Sequence, residues 1–331
     1  MPPPSMPLTE SAGSSVRPPR ARIQRRPVHG VLLLDKPLGL SSNDALQKAK
    51  WLLRAEKAGH TGTLDPAATG LLPLCFGAAT KFSQVSLEAD KVYCADVRLG
   101  VTTDSGDAQG KVLSERSVHL EPGQLDAVLA RFQGEIDQVP PMHSALKRDG
   151  KPLYEYARQG LTLERAPRRV TVHELRAQWS PQRQEHLVLW VRCSKGTYIR
   201  TLAEDIGHAL GCGASLSGLR RLGSGPLKVE QAITLQALEA LSEEERLARL
   251  LPADELLREW PAVELESEEA ARFITGLRRR VAQADCAAVR VFGPRVSQTT
   301  DRRPFLGSAH IRAGELIPDR LLSPPEIQAQ A

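Results

Sequence analysis

A chain of 331 residues is too long for most single compact domains, so one large domain and a smaller one are expected. An apolar fraction of 41% supports a real core, and 44 Lys and Arg against 39 Asp and Glu leave a net charge of +5, a mild bias toward an anionic partner. Five widely spaced cysteines without a CxxC pair argue against a zinc site or a disulfide framework, and no run approaches the roughly 20 apolar residues that span a bilayer, so a reducing cytoplasmic setting is expected.

Residues 1–27 carry five arginines between Arg17 and Arg26 against one acid, Glu10, in a proline-rich stretch with no apolar run to bury. This predicts a disordered leader. "HGVLLLDKP" (29–37) predicts a short buried strand that a proline stops. "SSNDALQKAKWLLR" then spaces Ala45, Leu46, Ala49, Leu52 and Leu53 helically behind serine and asparagine caps. "DKVYCADVRLG" alternates with period two, placing Tyr93, Ala95, Val97 and Leu99 on one strand face. "QLDAVLARFQG" reads as a helix closed by Gly134.

Between Lys147 and Arg169 lie seven Lys or Arg against three acids, the densest basic segment outside the leader. "HLVLWVRCSKG" predicts a strand ending in glycine. "TYIRTLAEDIGHALGCG" predicts a helix with Ile199, Leu202, Ala203, Ile206, Ala209 and Leu210 on one stripe, Arg200 beside it and Gly211 after its end. One acidic linker helix is expected over about 235–259, and a small mostly-β module over the last 70 or so residues. Strands and helices do not alternate as a parallel βαβ series would, so the fold class is mixed α/β with a largely antiparallel sheet.

The chemistry-bearing stretch is "GHTGTLDPAATGLLP" (59–73), where Asp65 is the lone acid. Pro66 holds Asp65 in an extended or turn geometry. Gly59, Gly62 and Gly70 let the backbone approach something bulky. The spacing is neither a Walker A loop nor a dinucleotide fingerprint, and an acid there would repel phosphate. A single ionised carboxylate suits attack on, or support of, a sugar carbon, whereas a glycosidase needs a second carboxylate as general acid. Asp35, Asp90, Asp104, Asp107, Asp137 and Asp205 are candidates for that second acid, and spacing singles out none of them. Arg200 could instead keep Asp65 ionised by pairing with it. By residue type alone, Asp65 reads first as a turn residue, and Arg200, His60, Tyr93 and Leu219 as surface or packing residues.

Six segments in order change that reading: "GVLLLDKPLGLSSNDAL", "GHTGTLDPAATGLLPLCFGAATKFSQ", "DKVYCADVRLGVTTDSGDAQG", "PPMHSALKRDGKPLYEYARQG", "CSKGTYIRTLAEDIG" and "SLSGLRRLGSG". Over about residues 28–235 the chain closely resembles the TruB-type tRNA pseudouridine-55 synthases. The resemblance implies a pseudouridine-synthase fold, a large mostly antiparallel sheet flanked by helices, with a catalytic domain over 28–250 and a small PUA-like RNA-binding domain over 251–331. It makes Asp65 the catalytic aspartate, Tyr93 the aromatic that stacks on the target base, Arg200 the partner of Asp65 and Leu219 part of the uracil pocket. His60 would occupy the place of, or stack with, the everted nucleotide, while Lys36 and Tyr198 match positions near the site.

The implied reaction is isomerisation of uridine in the T-loop of tRNA, with no cofactor and no metal. Asp65 could act by covalent attack or through a glycal. The insertion over about 140–170, with Lys147, Arg148, Lys151 and Arg158, would grip the T-stem-loop. The expected protein is a cytoplasmic monomer without an obligate protein partner. Competing readings are a catalytically silent tRNA-folding chaperone, a guide-dependent pseudouridine synthase and a nucleoside glycosidase. Asp65 with Arg200 and Tyr93 speaks against the first, the stand-alone form of the basic insertion against the second, and the missing second acid against the third.

Overall fold

The computed structural model describes residues 24–183, 185–295 and 303–330. The expected disordered leader lies outside the described residues up to position 23; within its last residues, Arg26 N–H donates to Arg54 O at 2.8 Å and the Arg26 guanidinium pairs with Glu243 at 2.8 Å.

The main body is a ten-stranded sheet. Its path runs Ile233–Thr234, Gly30–Lys36, Ala68–Phe76, Ala214–Ser224, Lys91–Leu99, His186–Cys193, Arg168–Trp179 and Gly134–Gln138. Two neighbouring pairs on the path are parallel, Gly30–Lys36 with Ile233–Thr234 and Ala68–Phe76 with Ala214–Ser224; the others are antiparallel. The mixed, largely antiparallel sheet is as the sequence predicts.

Two eleven-residue helices cover neighbouring patches of one face. Ser42–Leu52 starts where the Ser41 side chain accepts from Asp44 N–H, and it presses Ala45, Leu46, Ala49 and Leu52 onto Leu32, Leu34, Leu72 and Leu74. Ile199–Ala209 presses Leu202, Ala203 and Ile206 onto Ala95, Val97, Leu189 and Val191, and Gly211 at φ 83° follows its end. Tyr93 and Leu219 pack against both patches, so they lie at the seam between the helices. On the opposite face, Val31, Leu33, Leu71 and Cys75 pack against the 3₁₀ turns Gly77–Phe82 and Ala253–Leu257.

A separate five-stranded sheet lies between residues 262 and 321, with a core built on Phe273, Val289, Val291, Ala309 and Leu316. The predicted small β module is therefore present. Among the described residues no helix is long and apolar enough to cross a membrane.

Two local expectations are corrected. The helix Gln124–Ala130 ends before Gly134, which instead begins an edge strand at φ 87°. The acidic stretch 235–259 forms three short pieces, Leu235–Ala240, Glu243–Ala248 and Ala253–Leu257. Ser242 caps the second with a reciprocal Glu245 bond, and Pro252 precedes the third, so each restart has its own local cause.

Candidate active site

Strand register assembles the floor of the site. Lys36 stands opposite Gly70, Gly70 opposite Arg221, and Arg221 opposite Tyr93. Residues directly opposed across strands project to the same side. One row across four strands thus carries Lys36, Arg221 and Tyr93 on the helix-covered face, with Leu219 two residues before Arg221 on the same side.

Gly70 interrupts that row for a steric reason. Its φ is 101°, and a Cβ there would sit 2.7 Å from Arg221 N and closer still to the Arg221 carbonyl. Gly62, at φ 118°, has the Arg221 guanidinium 3.5 Å from where its Cβ would be, whereas Gly59 faces open space. The bulky neighbour expected for these glycines is, at Gly62 and Gly70, the chain's own arginine.

Asp65 lies on the loop above this row. Ser42 Oγ accepts from Leu64 N–H at 2.7 Å and donates to Leu64 O at 3.0 Å, pinning the loop to the first turn of the Ser42–Leu52 helix. Asp65 O accepts from Ala68 N–H, closing a tight turn over Pro66. The Asp65 side chain stays 47% exposed, whereas that of Arg200 is only 6% exposed. Arg200 Nη2 donates to Asp65 Oδ2 at 2.6 Å and to His143 O at 3.0 Å. Arg200 Nη1 donates to Ser105 O at 3.1 Å and lies 3.5 Å from Asp107 Oδ2. A cation in the first turn of a helix opposes the helix dipole, and the two carboxylates offset this.

A cleft of about 720 Å³ opens at this ion pair, lined among others by Asp65, Arg200, His60, His143, Tyr154 and Arg158. Beneath the same pair, a hollow of about 30 Å³ is walled by Leu216, Gly218 and Leu219. His60 ends the short strand Ala58–His60; burial first, then Arg221, lowers its pKa, so it is neutral at neutral pH. Burial also lowers Lys36 to about 8, opposed by nearby Asp65; its Nζ donates to Pro37 O and Leu40 O. Burial raises the phenols of Tyr93 and Tyr198. Tyr198 immediately precedes the Arg200 helix, where its N–H donates to Gln138 Oε1 at 3.0 Å.

The basic insertion divides. Arg158 reaches the cleft, with its guanidinium 5.2 Å from the Tyr154 ring centroid. Lys147, Arg148 and Lys151 sit exposed on a small hairpin, where Arg148 Nη1 donates to Glu164 O at 2.7 Å.

Sequence reasoning missed Arg221 and did not single out Asp107. Alternation along "GLRRL" was the available signal for Arg221: adjacent strand residues face opposite sides. Arg220 indeed pairs bidentately with Asp35, at 2.9 and 2.7 Å, while Arg221 turns inward and is 1% exposed.

The chain matches the TruB family pseudouridylate synthase N-terminal domain over residues 50–199 and the tRNA pseudouridylate synthase B C-terminal domain over residues 200–258. It is 60% identical to a tRNA pseudouridine synthase B of Verminephrobacter eiseniae, covering 93% of each chain. It is 56% identical to one of Cupriavidus pinatubonensis, covering 95% of this chain and 99% of that one. Among solved structures, a chain of a Cbf5-Nop10-Gar1 complex superposes with a TM-score of 0.67 at 26% identity, covering 91% of this chain and 86% of that one.

Proposed function

The chain belongs to the TruB family of tRNA pseudouridine synthases, and from that premise we propose that it converts uridine 55 in the T-loop of tRNA to pseudouridine, with Asp65 as the catalytic carboxylate. The observation that carries the reading is the 2.6 Å pair between half-exposed Asp65 and buried Arg200 at the mouth of a cleft. The charge-assisted hydrogen bond from Arg200 fixes one carboxylate oxygen of Asp65 at the cleft wall.

The target nucleotide must leave its stack to reach Asp65, at an expense of a few kcal/mol. Stacking on Tyr93, worth about 1–3 kcal/mol, offsets much of this. The N1–C1′ bond then breaks, the uracil turns against Leu219, and C5 bonds to C1′. The C5 proton leaves and N1 gains one, so atoms balance without a cofactor. Lys36, His60 and Tyr198 support the site, and Lys147, Arg148, Lys151 and Arg158 bind RNA phosphates over a folded loop.

The protein works as a cytoplasmic monomer, with catalysis in residues 28–250 and further RNA contact in 251–331. Incubation of the purified protein with unmodified tRNA transcript, followed by mapping of pseudouridine at each position, tests the reading. Product at position 55 supports it; product only elsewhere, or none, overturns it.

A further inference from the structure

Arg221 is the largest polar side chain sealed inside the sheet body. Among the described residues no carboxylate pairs with its guanidinium. Its Nε donates to Leu71 O at 2.7 Å and its Nη2 to Gly62 O at 3.1 Å, which leaves Nη1 without a backbone acceptor. A buried cation without an anion is costly unless something requires the charge in that place. The backbone accommodates it at two points, Gly62 beside the guanidinium and Gly70 against the Arg221 main chain.

The residue across the strand from Arg221, on the same face, is Tyr93. The guanidinium is close enough to interact with the phenol, opposing the rise that burial imposes on Tyr93. A guanidinium has five donor hydrogens and no acceptor. Toward Arg221, the Tyr93 oxygen can therefore only accept, and the phenolic hydrogen must point away from it.

We propose that Arg221 is a positioning residue for the pseudouridylation reaction: it anchors the hydroxyl end of Tyr93 from beneath, fixing the plane of the ring and turning its O–H away from the sheet floor toward the base. It acts through Tyr93 and does not itself reach the nucleotide. Lys36, the other buried cation of the row, stands across Gly70, and its ammonium donates to Pro37 O and Leu40 O.

The inference rests on the functional reading above, and a double-mutant cycle separates the two. Single-turnover rates on saturating unmodified tRNA are compared for wild type, Arg221→Gln, Tyr93→Phe and the double variant, with tRNA affinity and thermal unfolding measured for each. Arg221→Gln is expected to slow turnover about tenfold with tRNA affinity unchanged, and to change the rate less than about twofold once Tyr93 is already replaced by phenylalanine, a coupling in the range for contacting residues. Arg221→Lys, which keeps the charge and a donor, recovers part of the rate and serves in the same cycle where the glutamine variant does not fold. Equal slowing by the Arg221 variant in the wild-type and Tyr93→Phe backgrounds would overturn the inference while leaving the functional reading intact. A wild-type protein that makes no pseudouridine would overturn the reading itself.

Discussion

Asp65 and Arg200 are 135 positions apart in sequence and 2.6 Å apart in space, and Arg200 is the more rigidly held partner. Its fork is shared among Asp65, Ser105 O, His143 O and Asp107. Arg200→Lys keeps the charge but cannot reproduce that fork. It should lower single-turnover rate at least about tenfold with little effect on tRNA affinity. Arg200→Met leaves Asp107 without its cation and should cost about 2 kcal/mol of stability, below the value for a fully buried pair because Asp65 is half exposed. Urea unfolding of the two variants checks this; equal stability of Arg200→Met and wild type would contradict it.

Gly70 is a steric requirement of the site floor. Gly70→Ala places a methyl against the Arg221 backbone at φ 101°, so a loss of about 3 kcal/mol or failure to fold is expected. Gly59→Ala, with nothing near its Cβ and no left-handed backbone, should leave stability within about 0.5 kcal/mol. Equal unfolding midpoints for the two variants would show that the strand approach at Gly70 is relaxed in solution.

Lys36 gives the protein a predictable pH signature. Its pKa falls from 10.5 unfolded to about 8 folded, chiefly through burial. Between those values the unfolded chain binds more protons, so this residue's contribution makes stability rise with pH. The stability of wild type relative to Lys36→Met should therefore improve from about pH 7.5 to about pH 9.5. Lys91, also lowered to about 8, and the buried Cys75 and Cys193 thiols, raised to about 12, are common to both proteins and cancel in the difference. A difference that is flat or moves the other way would show that Lys36 is not held as the structure has it.

The basic residues of the insertion should act through phosphate. Neutralising Lys147, Arg148, Lys151 and Arg158 together should weaken tRNA binding and reduce the slope of log affinity against log salt by about 2–3. An unchanged slope would remove this segment from the grip. Restoring Arg158 alone should recover more turnover than restoring Lys147 alone, because of the four only Arg158 lines the cleft.

What was legible in the sequence was local. The Gly30–Lys36 strand, the Ser41-capped helix, the alternating Lys91–Leu99 strand and the amphipathic Arg200 helix all follow from short-range periodicity and caps. The break after Leu241 was missed although a local signal exists: Ser242 with Glu245 is a capping box, within a composition that looks helical throughout. The joining of Asp65 to Arg200 came from a resemblance, since no spacing rule links residues 135 apart. The Lys36, Gly70, Arg221, Tyr93 row depends on which strands pair and in which register, and it includes one parallel pair between segments about 150 residues apart. Such register is set by the whole sheet, so the sequence says that Gly70 makes room for something bulky but not that its neighbour is Arg221.

The most direct test is the Asp65→Asn variant beside wild type, with pseudouridine at position 55 mapped on unmodified tRNA and tRNA affinity measured on the same preparations. Asp65→Asn is expected to bind tRNA within about threefold of wild type and to make no product at any enzyme concentration. Appreciable turnover by a clean preparation of Asp65→Asn would remove Asp65 from the chemistry.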